Sequence, residues 1–303
     1  MYINIYILLF LALLSVSTSP IIARFIDVDG TAIAFWRMCF ASIILWTFSL
    51  FTKYVHFESN KNYRKTIFAG FLLGIHFALF FSAMDYTSIA HATFLGTLAP
   101  FFTLLIEIFF LKRKFNKNIL FGLSFVLLGS LIIVLNNFDI SNNQTSGNIM
   151  AILCSICLAI SFLIAENVRK KESTLIYTRT LYLSASITLI PILIFIAYYI
   201  NPNNVSAILY QFTKTDYIGL LFLGIVPTLI GHNSIYYAVK YISPSIASSF
   251  PLGEPVIATI FAYYLGSIGY NKFINEVSID NSIYIGGLLT LSGLILITLN
   301  RNK

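Results

Sequence analysis

The sequence predicts an all-α integral membrane protein: ten transmembrane helices arranged as two five-helix repeats of inverted topology. Three observations predict it. Apolar residues make up 58% of the 303-residue chain and charged residues 10%, against about 25% charged in an ordinary soluble domain. The apolar residues fall into ten continuous runs. Each is close to the ~20 residues that cross about 30 Å of hydrocarbon at about 1.5 Å per residue. The second half of the chain also repeats landmarks of the first. Such a chain cannot build the charged shell of a soluble enzyme, and it has neither the composition of a disordered chain nor a cysteine framework. Its solvent is lipid.

In order, the runs cover 2–23, 31–52, 66–85, 89–111, 118–136, 148–166, 175–200, 217–238, 244–268 and 282–299. The first lacks a basic n-region and is as long as a span, so it reads as a span and not as a cleaved leader. The second carries Arg37, the third His76, and the fourth Gly96 and Pro100, split from the third at Thr87-Ser88. The fifth holds Gly122 and Gly129. In the sixth, Cys154 and Cys157 read as small packing residues one helical turn apart, because no further ligands accompany them to make a metal or redox pair. The seventh carries Arg179, and the eighth His232, Asn233 and Tyr237. The ninth, split from the eighth at Ser243-Pro244, carries Pro251, Glu254 and Pro255, and the tenth Gly286 and Gly293. Continuous apolar runs, without alternation, exclude a β-barrel.

The net charge of +7 follows membrane topology and gives no sign of nucleic-acid binding. Of the 19 Lys and Arg, fourteen fall in one set of alternate loops. Three (Arg24, Lys214 and Lys272) fall in the other, and Arg37 and Arg179 lie within runs. The positive-inside bias places both termini in the cytoplasm. Usage rich in Asn, Ile and Lys fits an AT-rich, bacterial genome, and hence the bacterial inner (plasma) membrane.

The segment 83–100 matches 238–255 at an offset of 155, with Ala83, Tyr86, Ser88, Ala92 and Pro100 falling on Ala238, Tyr241, Ser243, Ala247 and Pro255. Gly122, Gly129 and Asn136 fall on Gly286, Gly293 and Asn300, and Arg37 corresponds to Arg179. The domains expected are repeat one at 1–136, a linker at 137–147 and repeat two at 148–303. Five spans per repeat is odd, so the second copy enters the membrane from the opposite face. Asp85 at an outer loop and its counterpart Lys240 at an inner one each carry the charge their side prefers.

On these residues the chain resembles the drug/metabolite transporter superfamily and, within it, the EamA-type carriers of ten spans. The motifs that carry the resemblance are AFWRMCFAS at 34–42, the segment 83–100 ending in Pro100, the stretch 231–266, and GGLLTLSGLIL at 286–296. The resemblance implies export or exchange of a small metabolite, often an amino acid or related compound. It also implies a cavity between spans one, three, four, six, eight and nine. Members often end span nine in Gly-Glu; here Gly266 is followed by Ser267, so no role carries over from that position.

Ionisable residues inside a bilayer cost about 2.5–3.5 kcal/mol each on insertion scales, so each needs a reason. Glu254 lies ten residues into the ninth run, roughly 15 Å deep. Pro251 and Pro255 remove the donors that the carbonyls of Ala247 and Pro251 would use. A carboxylate beside a helix break at the midplane suits substrate or proton. Gly96 and Pro100 make a similar break in the fourth run. His76 and His232 fall within one residue of each other in the repeat alignment and can titrate or bind a carboxylate; His91 lies nearer an outer end. Asn233 and Tyr237 could add polar contacts, and Ser19 and Ser161, at equivalent places in spans one and six, could line a cavity or allow close packing. Arg37 and Arg179, present in both halves, read as structural or binding residues. Glu107 beside Lys112–Lys114 reads as an interfacial ion pair.

The function expected is a secondary transporter moving a small polar metabolite by alternating access, with lipid and substrate as partners, protons as a candidate coupling ion, and no metal or cofactor. No Walker motif accompanies an ATP-driven pump, and neither H-E-x-x-H nor G-x-S-x-G supports an intramembrane enzyme. The alternative is a non-transporting membrane sensor or assembly protein, which would not need a polar midplane.

Overall fold

A computed structural model describes residues 2–52, 56–87, 89–135, 145–268 and 281–299, and among them every regular element is a helix. Thr18 separates α1 (Tyr2–Val16) from α2 (Ser19–Phe25), which has Pro20 in its first turn. The Asp29 carboxylate accepts from the Thr31 and Ala32 N–H groups and starts α3 (Gly30–Ser49). The Ser59 hydroxyl caps α4 (Asn60–Tyr86), so this helix begins six residues before the apolar run does. Then come α5 (Ile89–Gly96), α6 (Ala99–Phe109), α7 (Lys117–Leu135), α8 (Thr145–Arg169) and α9 (Thr174–Phe195), the last extended by one wide turn, Ile196–Ile200. A short α10 (Val205–Leu209) precedes α11 (Lys214–Leu223), which opens with a Thr213/Asp216 capping box. A nine-residue π segment, Gly224–His232, leads into α12 (Asn233–Ala238). Finally α13 (Pro244–Ser249), a 3-10 turn Phe250–Gly253, α14 (Glu254–Ser267) and α15 (Asn281–Leu299) complete the chain.

Eight stretches are long and apolar enough to cross a membrane, from Asn4–Phe25 to Pro244–Ser267; Lys117–Ile132 and Tyr284–Leu299 are shorter apolar helices. The protein is an integral membrane protein. Side chains such as Phe51, Phe110, Ile187 and Leu288 stand exposed on its outside, a surface that only lipid tolerates. Ser88, Asn136, Lys272, Asn300 and the linker as far as 144 lie outside the described residues, as do the side chains of Asp85 and His91.

Two of the runs expected to be unbroken are not. The first bends at Thr18, ahead of Pro20. The eighth widens into the π segment around Pro227, for a physical reason. Pro227 has no N–H to give the Leu223 carbonyl four residues back. The Thr228 hydroxyl donates to that carbonyl instead, at 2.8 Å. A backbone group that would be stranded in hydrocarbon is thereby satisfied.

The helices pack in a defined set of pairs. α3 lies on α9, α4 on α8 and α9, α6 on α13, α7 on α15, and α1 on the π segment. The α7–α15 contact is a backbone contact. A Cβ on Gly293 would lie 2.6 Å from the Gly122 carbonyl oxygen and 2.8 Å from the Val126 nitrogen, closer than atoms pack. Small residues therefore let these two helices touch, the usual route to helix association without a hydrophobic driving force.

Candidate functional site

Both broken helices, α5–α6 and α13–α14, direct their breaks at one cavity, bounded also by α2, α3, α4, α8 and the π segment. Water centres have about 50 Å³ to occupy there, where one water needs about 10–15 Å³. The cavity in this conformation therefore holds a few waters or part of a small metabolite. Its apolar wall comes from Phe77, Phe80, Leu158, Phe162 and Ile235; its polar groups converge from six elements.

Glu254 opens α14, directly after the 3-10 turn that Pro251 and Pro255 enforce. Its side chain is buried and lines the cavity, and among the described residues its carboxylate has no hydrogen-bond or ion-pair partner. Opposite, Gly96 and Thr97 mark the break between α5 and α6, and Pro100 sits in the first turn of α6. The Thr97 hydroxyl is satisfied locally by the Thr93 carbonyl, at 2.8 Å.

His76, on α4, holds the Cys154 carbonyl through Nδ1 at 3.0 Å. A carbonyl only accepts, so Nδ1 carries the hydrogen and Nε2 is the lone-pair nitrogen of the neutral ring. Phe80 stacks on the ring at 6.2 Å and 16°. His232, at the end of the π segment, stands edge-on to Phe77 at 5.5 Å, with its Nδ1 buried and unpartnered. The two histidines that the repeat alignment pairs thus line the same cavity, on either side of Phe77.

Arg37, on α3, is 2% exposed. Its Nε donates to Thr228 Oγ1 at 3.1 Å and its Nη1 to Ser19 Oγ at 3.2 Å. The guanidinium lies over the Phe77 ring, 4.5 Å from the centroid. Nη2 has no partner. Ser19 and Arg37 therefore belong to the cavity as one unit.

Other sequence candidates lie elsewhere. Arg179 is buried between α9 and α3, its guanidinium 4.3 Å from the centre of the Trp46 ring, away from the cavity lining. Ser161 donates to the Ala69 carbonyl at 3.1 Å and sits near the Tyr236 hydroxyl, so it packs α8 on α4. Asn233 is half-buried with an unpartnered Oδ1, and Tyr237 is 39% exposed with its ring on Tyr241; neither is part of the lining. The reason is helical geometry. Only every third or fourth residue of α12 can face the cavity, and after His232 that residue is Ile235.

Along α8 the cavity lining reaches as far as Phe162. The rings of Phe162 and Tyr236 touch at 5.2 Å, and Tyr177, Tyr182 and Tyr236 form a fully buried layer. Arg169 ties this layer to the α8–α9 turn, donating to the Tyr236 and Glu172 carbonyls. Farther out, Arg113 bridges Glu107 and Glu166, and Glu107 also accepts from the Ser245 N–H at 3.2 Å, at the start of α13. Lys112 adopts a positive φ of 54°, the turn that brings Arg113 back over α6. The interfacial ion pair expected of Glu107 is present, with Arg113.

Sequence reasoning missed Thr228, Thr97, Ser248 and Phe77. Thr228 had a readable signal: a hydroxyl directly after an intramembrane proline. Phe77 had none, being one of 28 phenylalanines.

The EamA-like transporter family model matches residues 3–135 and again 145–299. A curated relative, "Uncharacterized transporter YdfC" of Bacillus subtilis (strain 168), is 22% identical over 272 residues, spanning 89% of this chain and 82% of its own length. A solved structure described as "Crystal structure of protein" superposes with a TM-score of 0.76 at 15% identity, over 99% of this chain and 98% of that one. At that identity it speaks for the fold alone.

Proposed function

The chain belongs to the EamA-like transporter family, and from that premise we propose that it is a secondary carrier moving a small polar metabolite by alternating access through the cavity at Glu254. The observation that carries this reading is an unpartnered intramembrane carboxylate at a helix break, facing a second helix break across a cavity.

Ten spans in two inverted repeats, 1–136 and 148–303 joined by 137–147, are supported by the pairing of helices. In span numbers, α3 on α9 is two on seven, α6 on α13 is four on nine, and α7 on α15 is five on ten. Each pair maps onto itself when the halves are exchanged. Likewise α1 on the π segment, one on eight, maps onto α8 on α4, six on three. A pseudo-two-fold relation of this kind lets the halves trade conformations and open one site to each face in turn.

The Lys and Arg bias puts both termini in the cytoplasm of a bacterial inner membrane. The tyrosine layer and the Arg113 network then close the cytoplasmic side. Substrates of the amino-acid kind, moved by efflux or exchange, follow from the family resemblance. Glu254, His76 and His232 are the groups that could bind substrate or carry a coupling proton.

Alternating access has a direct test at Thr97, on the cavity wall. In a chain with Cys39, Cys154 and Cys157 replaced by serine or alanine, Thr97→Cys is expected to react with a membrane-impermeant thiol reagent from either face, in right-side-out and in inside-out vesicles. Reaction from one face only, under all conditions that change the Thr97→Cys rate, would contradict alternating access.

A further inference from the structure

Arg37 is buried more deeply than any structural duty visible around it requires. A guanidinium has five N–H donors. One is used by Thr228 and one by Ser19, which leaves 5 − 2 = 3, two of them on the buried, unpartnered Nη2. The group is held by Thr228, Ser19 and the face of Phe77, and Arg37 is part of the cavity lining. Glu254 lines the same cavity and the two charges act on each other, yet they form no direct ion pair. Holding two opposite charges in a membrane without direct contact is costly.

Thr228 explains why Arg37 stays in place. Its hydroxyl gives its own hydrogen to the Leu223 carbonyl left without a donor by Pro227, so its oxygen is free to accept from Arg37 Nε. The bond from Nε to the π segment thereby fixes the plane of the guanidinium, with Nη2 buried and unpartnered on a residue of the cavity wall. Thr228 acts through Arg37 and is a positioning residue.

We infer that Arg37, set by Thr228 and Ser19, is a carboxylate subsite facing Glu254 as an ammonium subsite, and that the substrate is a small zwitterion whose body lies against Phe77 and Phe80. A planar carboxylate matches the remaining donors of one guanidinium. Among the described residues Arg37 is the only arginine or lysine on the cavity wall, which suits a singly charged anionic group. The inference rests on the carrier reading for its site, and adds the chemistry that the site selects.

The test uses the full chain in lipid nanodiscs for binding, by thermal stabilisation, and in proteoliposomes for counterflow. The probes are glycine, L-alanine, L-serine, L-leucine and L-phenylalanine, each beside its amide, which lacks the carboxylate, and its N-acetyl form, which lacks the ammonium. At least one zwitterion is expected to bind and exchange, with its amide and N-acetyl form weaker by about 30-fold or more, as for loss of one partner of a buried charge pair. Arg37→Gln is expected to erase the preference for acid over amide. Should Arg37→Gln fail to fold, Thr228→Val answers the same question, weakening zwitterion binding while Thr228→Ser restores it. Equal binding of acid and amide, undiminished binding by a folded Arg37→Gln, or no binding by any zwitterion overturns the subsite. If exchange nevertheless proceeds, the carrier reading stands. Zwitterion binding without counterflow supports the subsite and overturns the carrier.

Discussion

Arg113→Gln is expected to destabilise the protein by about 3 kcal/mol, the low end of the range for breaking a buried ion pair. Glu107 is fully buried at 0% exposure and loses its cation, whereas Arg113 itself is 29% exposed, so water already weakens the pair from one side. The loss falls on three helices together, because Glu107 also accepts from the Ser245 N–H of α13 and Arg113 also holds Glu166 of α8. Glu166→Gln costs less, its carboxylate being 15% exposed. Glu107→Gln/Arg113→Gln together is expected to recover much of the loss, since the fully buried charge is then gone and only Glu166, 15% exposed, loses its partner. Thermal unfolding in detergent, run as a double-mutant cycle, checks this. Equal stability of Arg113→Gln and wild type would mean that the network does not hold this end of the bundle shut.

Glu254→Gln is expected to leave the folded yield close to wild type and to lower transport by about 30-fold or more, the scale on which one partner of a buried charge pair acts. Gln keeps the volume and a carbonyl oxygen but can neither ionise nor attract an ammonium. Because the Glu254 carboxylate bonds no neighbouring helix among the described residues, its loss removes no structural contact. If the carboxylate also carries a coupling proton, the pH dependence of uphill transport flattens in Glu254→Gln while Glu254→Asp keeps it. A fall in folded yield with unchanged transport per folded molecule would make Glu254 structural glue instead. Initial rates per folded protein, across a pH series, separate these outcomes.

The sequence was most informative where one physical constraint acts alone. Chain length against bilayer thickness located the eight long apolar stretches, and Pro251 and Pro255 located the break at Glu254. The repeat alignment brought His76 and His232 to the same level, and both line the cavity. It also paired Ser19 with Ser161 and Arg37 with Arg179, and each pair divides between the two duties open to it. Ser19 and Arg37 join the cavity, while Ser161 packs α8 on α4 and Arg179 lies over Trp46. The lining of the cavity is set by which face of each helix turns inward. In chains apolar on every side, no hydrophobic periodicity marks that face. Thr228 was flagged only by its place after Pro227: its role depends on a π turn, and Pro227 announces a distortion but not its form.

The most direct test of a carrier acting through Glu254 is counterflow in proteoliposomes loaded with a pooled metabolite library, wild type beside Glu254→Gln. Exchange of one compound class by wild type, lost in a folded Glu254→Gln, is the expected result. Exchange by both alike would keep the carrier and remove Glu254 from its site. No exchange of any compound by folded wild type would contradict transport itself and favour the sensor or assembly reading.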